Sequence, residues 1–192
     1  MQRRLTRCYG IDDALRVDDF VRMAEEGERE ELFIRHGPDG LELALALPRE
    51  VIEPGARPSL DQLCQVVEGV SHFLYVAERA RRERPVTELE LELQAEVDKY
   101  LVLVDPCHEG YRPGWSVHVR ARLYDRVAFA HPRGTERGDR YRMANELAAR
   151  FAGRLEAQHL RDGRIDPSGM RQALHRFYWA GQTEKIELAR AA

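Results

Sequence analysis

The sequence predicts a mostly α-helical fold: a helical bundle built on an αα-hairpin, with a small front end of one helix and a β-hairpin. Three observations carry this. Two capping boxes, Ser59 with Gln62 and Thr87 with Glu90, each open a long run of helical apolar spacing. A short joint containing Pro85 separates the runs, which makes the two helices antiparallel neighbours. Ahead of them, Leu41, Leu43, Leu45 and Leu47 alternate with Glu42, Ala44 and Ala46, the period of a strand with one apolar face.

The elements follow in order. Residues 1–28 hold one or two short helices, with Asp18 or Asp19 capping a piece that presents Phe20, Met23 and Ala24. Residues 31–36 and 41–47 are strands joined by Gly37-Pro38-Asp39-Gly40, which is turn chemistry. A lone hairpin is marginal in water, so its leucine face needs a helix, a third strand or a second subunit. Pro48, Pro54, Gly55 and Pro58 mark a linker, which divides the chain into a front end, 1–58, and a helical bundle, 59–192.

The first long helix runs from Ser59 to about Arg82 on the stripe Leu60, Leu63, Val67, Val70, Leu74 and Ala77. The next stretch, 87–104, also alternates like a strand over Leu89, Leu91 and Leu93. The capping box, the Glu, Leu, Gln and Ala content, and the stripe Leu89, Leu93, Val97, Tyr100 and Val104 favour a helix. Residues 105–114 are a loop. Residues 115–130 fit strand or helix and are taken as helix on Trp115, Val119, Leu123 and Val127. Asp139 is expected to cap a helix reaching His159, and 161–164 to form a turn. Asp166 and Pro167 form an N-cap and N1 pair. Gly181 stops that helix, and Thr183 is expected to cap a short last one.

The 192 residues are 43% hydrophobic and 33% charged, with a formal net charge of −3. That balance argues against a dedicated nucleic-acid binder, which needs a basic surface. No apolar run is long enough to span a membrane. No secretory signal is expected at the N-terminus, and Cys8, Cys64 and Cys107 read as reduced thiols, so the cytoplasm is the expected location. Nearly all the positive charge is arginine; the only lysines are Lys99 and Lys185. The densest basic run, Arg79, Arg81, Arg82 and Arg84, falls at a helix C-terminus, where cations complement the dipole.

Signature motifs for phosphate, dinucleotide or zinc binding are absent, and no cofactor is expected. Gly69-Val70-Ser71-His72-Phe73 begins like a nucleophile elbow, but Phe73 stands where a glycine is required and the segment lies inside a helix. Cys107 stands next to His108, and adjacent residues rarely orient as a thiol and its base.

The acidic residue that stands out is Glu96, which falls inside the apolar arc of its helix, with Glu92 at the edge one turn earlier. A buried carboxylate must be neutral, paired or metal-bound. Glu68 and His72 lie one turn apart on the first long helix, with Asp61 and Gln65 on its polar side. Glu156 and His159 form an E-x-x-H pair of the type used in carboxylate-bridged metal bundles. These six residues are the candidate polar or metal site. The ordinary alternatives are an ion pair of Glu96 with an arginine of a neighbouring helix, and a C-terminal capping role for His159. Trp179, with Phe177 and Tyr178, is the candidate interaction surface, unless the terminal segment folds back over the indole.

Three functions are therefore expected in descending order. The first is a non-catalytic protein that works by binding a protein partner or by self-association. The second is a metal-binding or carboxylate-dependent enzyme with its site inside the bundle. The third is an arginine-mediated phosphate or nucleic-acid binder.

Overall fold

The computed structural model describes residues 1–12, 15–25, 28–37, 40–53, 55, 57–104, 114–160 and 166–191. The fold is mostly α with an α+β front end. Helix α1 (Gln2–Tyr9) leads through a 3-10 turn (Val17–Asp19) into strands β1 (Val21–Met23), β2 (Glu31–Gly37) and β3 (Gly40–Leu47). A one-turn helix α2 (Arg49–Ile52) precedes α3 (Leu60–Arg81) and α4 (Glu88–Val104). Then come α5 (Trp115–Arg120), a π turn (Ala121–Asp125), α6 (Glu136–His159), α7 (Pro167–Trp179) and α8 (Gln182–Arg190).

Both capping boxes form. The Gln62 amide donates to Ser59 Oγ while the Gln62 side chain accepts from the Ser59 amide. Glu90 and Thr87 exchange the same two bonds. The reciprocal pair satisfies two donors that a helix start otherwise leaves bare, which is why α4 is a helix despite its alternating leucines.

The hairpin is present, but it is not alone. Residues 20–24 form no helix: Val21–Met23 is a third strand, parallel to β3, in the sheet order β1-β3-β2. The Leu45 amide donates to Phe20 O and the Ala24 amide to Leu47 O, both at 2.9 Å. The unpaired side of β3 therefore outweighs the helical spacing of three apolar residues. The leucine face is covered by α3 at Gly69, where an added Cβ would meet Leu45 Cδ1 at 2.8 Å; the absent side chain lets helix and strand meet.

Three further expectations shift. The helix from Trp115 stops at Asp125, not 130. The π turn places the Leu123 carbonyl beside Asn145 Nδ2 (3.4 Å), and 127–130 leave the helix to line a cavity. Helix α6 is capped by Thr135, whose Oγ1 accepts from the Gly138 amide, while Asp139 sits inside the first turn and accepts from the Gly134 amide. A Cβ on Gly138 would fall 1.9 Å from the Pro132 carbonyl oxygen, so only glycine permits this entry. Helix α8 starts at Gln182 with Gly181 as its N-cap, and Thr183 lies within it. The expected Asp166 cap does form, with Pro167 as first helical residue. The hairpin tip (38–39), the loop at 105–113 with Cys107 and His108, and the turn at 161–164 lie outside the described residues.

Helix α4 is central. It packs on α3, α6, α5 and α1, while α8 lies on α6 and α7 lies on α1. One hydrophobic cluster joins Leu5 and Tyr9 of α1, Leu45 of β3, Phe73, Leu93, Tyr100, Phe151 and Phe177. No helix among the described residues is long and apolar enough to cross a membrane.

Candidate metal centre

Helices α3 and α4 run antiparallel, which brings Glu68 and His72 of one against Glu92, Glu96 and Lys99 of the other. One ligand atom each of Glu68, His72 and Glu92 lies within 4.8 Å of the others. The expectation that Glu68 and His72 face the polar side of α3 is corrected: Glu68 is buried and His72 half-buried, because α4 covers that side. A helical wheel drawn for α3 alone cannot see this.

Lys99 holds the cluster's edge. Its Nζ lies 2.7 Å from Glu68 Oε2 and 3.0 Å from Glu96 Oε1. Glu96 is thus paired with a lysine of its own helix, not with an arginine of a neighbour. Burial disfavours the Lys99 ammonium, but Glu96 and Glu68 outweigh it and hold the group protonated. Burial likewise opposes charge on Glu68, yet Lys99 keeps its carboxyl below the usual range.

The rest of the cluster is short of positive charge. Burial and then Glu68 push Glu92 up to about 8. The same two causes push Glu30, just ahead of β2, up to about 7. Burial drives His72 down, so its ring is neutral. The ring is hydrogen-bonded to the Leu91 backbone, while Nε2 is buried without a hydrogen-bond partner. Its lone pair faces Glu92 Oε2 across 4.0 Å, too far for a hydrogen bond. A neutral imidazole tied to backbone by one nitrogen, with the other bare beside carboxylates, is how a histidine is oriented for a metal.

Glu68 also belongs to the wall of a cavity of about 410 Å³, together with Cys64, Lys99, Phe129 and Tyr141. That size lies within the range of small-molecule sites. Burial raises the Cys64 thiol to about 11, so it is not a ready nucleophile.

Glu156 and His159 are not brought to this cluster. Glu156 accepts from Tyr100 Oη (3.2 Å) and from Arg120 Nε (2.9 Å). His159 Nδ1 lies 3.2 Å from Asp166 Oδ2, tying the end of α6 to the start of α7. Of the six candidates, Glu68, His72 and Glu92 converge, Glu96 joins them through Lys99, and the E-x-x-H pair serves helix packing.

The aromatic surface is also corrected. Phe177 and Tyr178 are buried, stacked on Phe151 and Tyr9 with ring centroids 4.1 and 4.4 Å apart. Trp179 is half-buried: its Nε1 donates to Tyr9 O, and the Arg82 guanidinium lies 3.6 Å over its ring. Helix α1 and Arg82 cover it. Of the basic run only Arg79 is buried; Arg81, Arg82 and Arg84 are exposed. Arg79 pairs with Glu90, Arg82 stacks on Trp179, and Arg84 donates to Trp179 O.

A second polar cluster escaped the sequence reading. Asp98 is buried and accepts from Ser71 Oγ (2.6 Å), Gln94 Nε2 (2.9 Å) and Tyr9 Oη. Lys185, fully buried, donates to Gln94 Oε1 (2.5 Å) and stands over the rings of Tyr75 and Phe177. Its parts come from opposite ends of the chain, so no local pattern announces it. The scarcity of lysine was the one available signal: both lysines prove to be buried.

The fold and cluster define a helical protein with a buried carboxylate–imidazole centre beside a cavity. Compared with known proteins, the chain matches no family model, no curated protein and no solved structure.

Proposed function

We propose that this is a metal-binding protein that holds one divalent cation between Glu68, His72 and Glu92, next to the cavity at Glu68. The observation that carries the reading is the bare, enclosed His72 Nε2 with two carboxylates around it. A cation satisfies the lone pair and relieves the repulsion between Glu68 and Glu92 in one step. Donors bound at about 2.1 Å to a tetrahedral ion stand about 3.4 Å apart, so the three atoms, now within 4.8 Å of one another, close by about an ångström on binding. Two carboxylates and one imidazole suit zinc, manganese or ferrous iron. Three protein donors leave a position open, the arrangement of catalytic centres and not of structural ones. A cytoplasmic setting goes with this reading, the Cys64 thiol lying outside any disulfide.

The test is a calorimetric titration of the chelator-stripped chain with Zn²⁺, Mn²⁺ and Fe²⁺, beside metal analysis of the protein as purified. One ion per chain is expected. His72→Ala and Glu92→Gln should each weaken binding by about 100-fold, while Glu156→Gln and His159→Ala leave it unchanged. A chain that takes up none of the three metals, or binds them equally well without His72, overturns the reading.

A further inference from the structure

The direction of every backbone group at the sheet edge can be worked out. Leu45 and Leu47 aim their N–H and C=O at β1, since the Leu45 amide donates to Phe20 O and Leu47 O accepts from the Ala24 amide. Successive residues of a strand point opposite ways, so Glu42, Ala44 and Ala46 aim theirs at β2. Their partners are Arg35, Phe33 and Glu31. These three residues therefore complete the ladder inside the hairpin. Leu32, Ile34 and His36 direct their backbone groups away from β3, to a side where no strand is paired among the described residues.

This edge lacks two of the usual defences. It is seven residues long, and residues 31–37 contain no proline and no lysine. Phe33 and Ile34 are 39% and 46% exposed. Its two charges at 31 and 35 are of opposite sign and symmetric about Phe33. That symmetry selects the partner. A second copy laid antiparallel and centred on Phe33 sets Leu32 opposite Ile34 twice, as hydrogen-bonded pairs. It sets Phe33 opposite Phe33, and Glu31 opposite Arg35 twice. Centring on Ile34 instead would put Phe33 against Arg35 and Glu31 against Gly37, with no ion pair. Opposite charges and aromatic pairs directly across a ladder stabilise it.

We propose that the chain forms a two-fold homodimer through the free edge of β2, antiparallel and centred on Phe33. The dimer makes a continuous six-stranded sheet from two three-stranded ones, and its contact is isologous, as closed two-fold symmetry requires. It is independent of the metal centre.

The experiment is sedimentation equilibrium of the full chain, with chelator present, at rising concentration. A reversible dimer is expected. Ile34→Pro removes an N–H that points away from β3, so it spares the hairpin ladder and should leave a monomer at every concentration. Glu31→Arg replaces two attractions by two repulsions and should weaken the dimer about tenfold or more. This variant decides the matter if the proline variant does not fold. A parent chain that stays monomeric overturns the proposal, as does a dimer that survives both substitutions unchanged. An edge that instead takes a strand from a different protein would show as the monomeric outcome.

Discussion

Arg79→Ala should destabilise the fold by about 3–5 kcal/mol, the cost of breaking a buried ion pair by removing one partner. Arg79 and Glu90 are both almost fully enclosed, with Arg79 Nη2 3.0 Å from Glu90 Oε1. The same nitrogen donates to Tyr75 Oη and to the Ala180 carbonyl, each at 2.5 Å. One guanidinium thus ties the end of α3 to the start of α4 and to the residue between α7 and α8. Glu90 does double duty, since its other oxygen accepts from the Thr87 amide and hydroxyl in the capping box. Glu90→Ala should therefore cost at least as much, losing the cap as well. Replacing both residues by leucine should recover a large part of the loss, because no buried charge is left over. Urea unfolding of the parent, Arg79→Leu, Glu90→Leu and the double leucine variant supplies the cycle. Additive single losses would show that the two side chains act separately.

The second large effect concerns Lys185 and pH. Burial lowers the Lys185 pKa well below its ordinary value, with Asp98 opposing the shift. Between the folded and unfolded values the unfolded chain binds the extra proton, so this residue's contribution to stability rises with pH and levels off above about 10.5. Burial raises Asp98 to about 6, and its contribution runs the other way: it is present at low pH and lost as pH climbs through about 4 to 6. Lys185→Met removes the first term. Its stability difference from the parent should move against it by about 1.4 kcal/mol per pH unit across the range where Lys185 stays neutral only in the fold. A constant loss also enters from Gln94, whose Oε1 is left without its donor. Unfolding curves at a series of pH values from 6 to about 10.5 give the slope. A difference that does not change with pH means that the amine is charged in the folded chain.

Much of the architecture could be read from local chemistry. Capping boxes at Ser59 and Thr87, the Asp166-Pro167 start and the leucine alternation of β3 each rest on neighbours a few residues apart. What was missed rests on distant ones. Strand β1 has three residues and exists because β3 offers it an edge. Thr135 takes the cap from Asp139 because the chain ahead bends tightly enough to need Gly138. Four of the six candidate site residues lie together, since helical spacing places Glu68 with His72 and Glu92 with Glu96. The grouping of Glu156 and His159 with them failed, because the partners that satisfy them, Tyr100, Arg120 and Asp166, come from other elements. The aromatic surface failed for a related reason: Phe177 and Tyr178 meet α6 and α1, and only the packed bundle says so.

Both ε-amines of the molecule are closed to reagents from solution. Lys99 is clamped between two glutamates and Lys185 is sealed among rings. Acylating chemistry aimed at lysine can therefore proceed only during excursions of the chain. Lys185 becomes reachable when α8 lifts away, and Lys99 when the α3–α4 hairpin parts. The time course of labelling at each site, followed by peptide mass spectrometry, becomes a clock for two separate openings. With arginine as the other cationic residue, no exposed ε-amine competes with that clock.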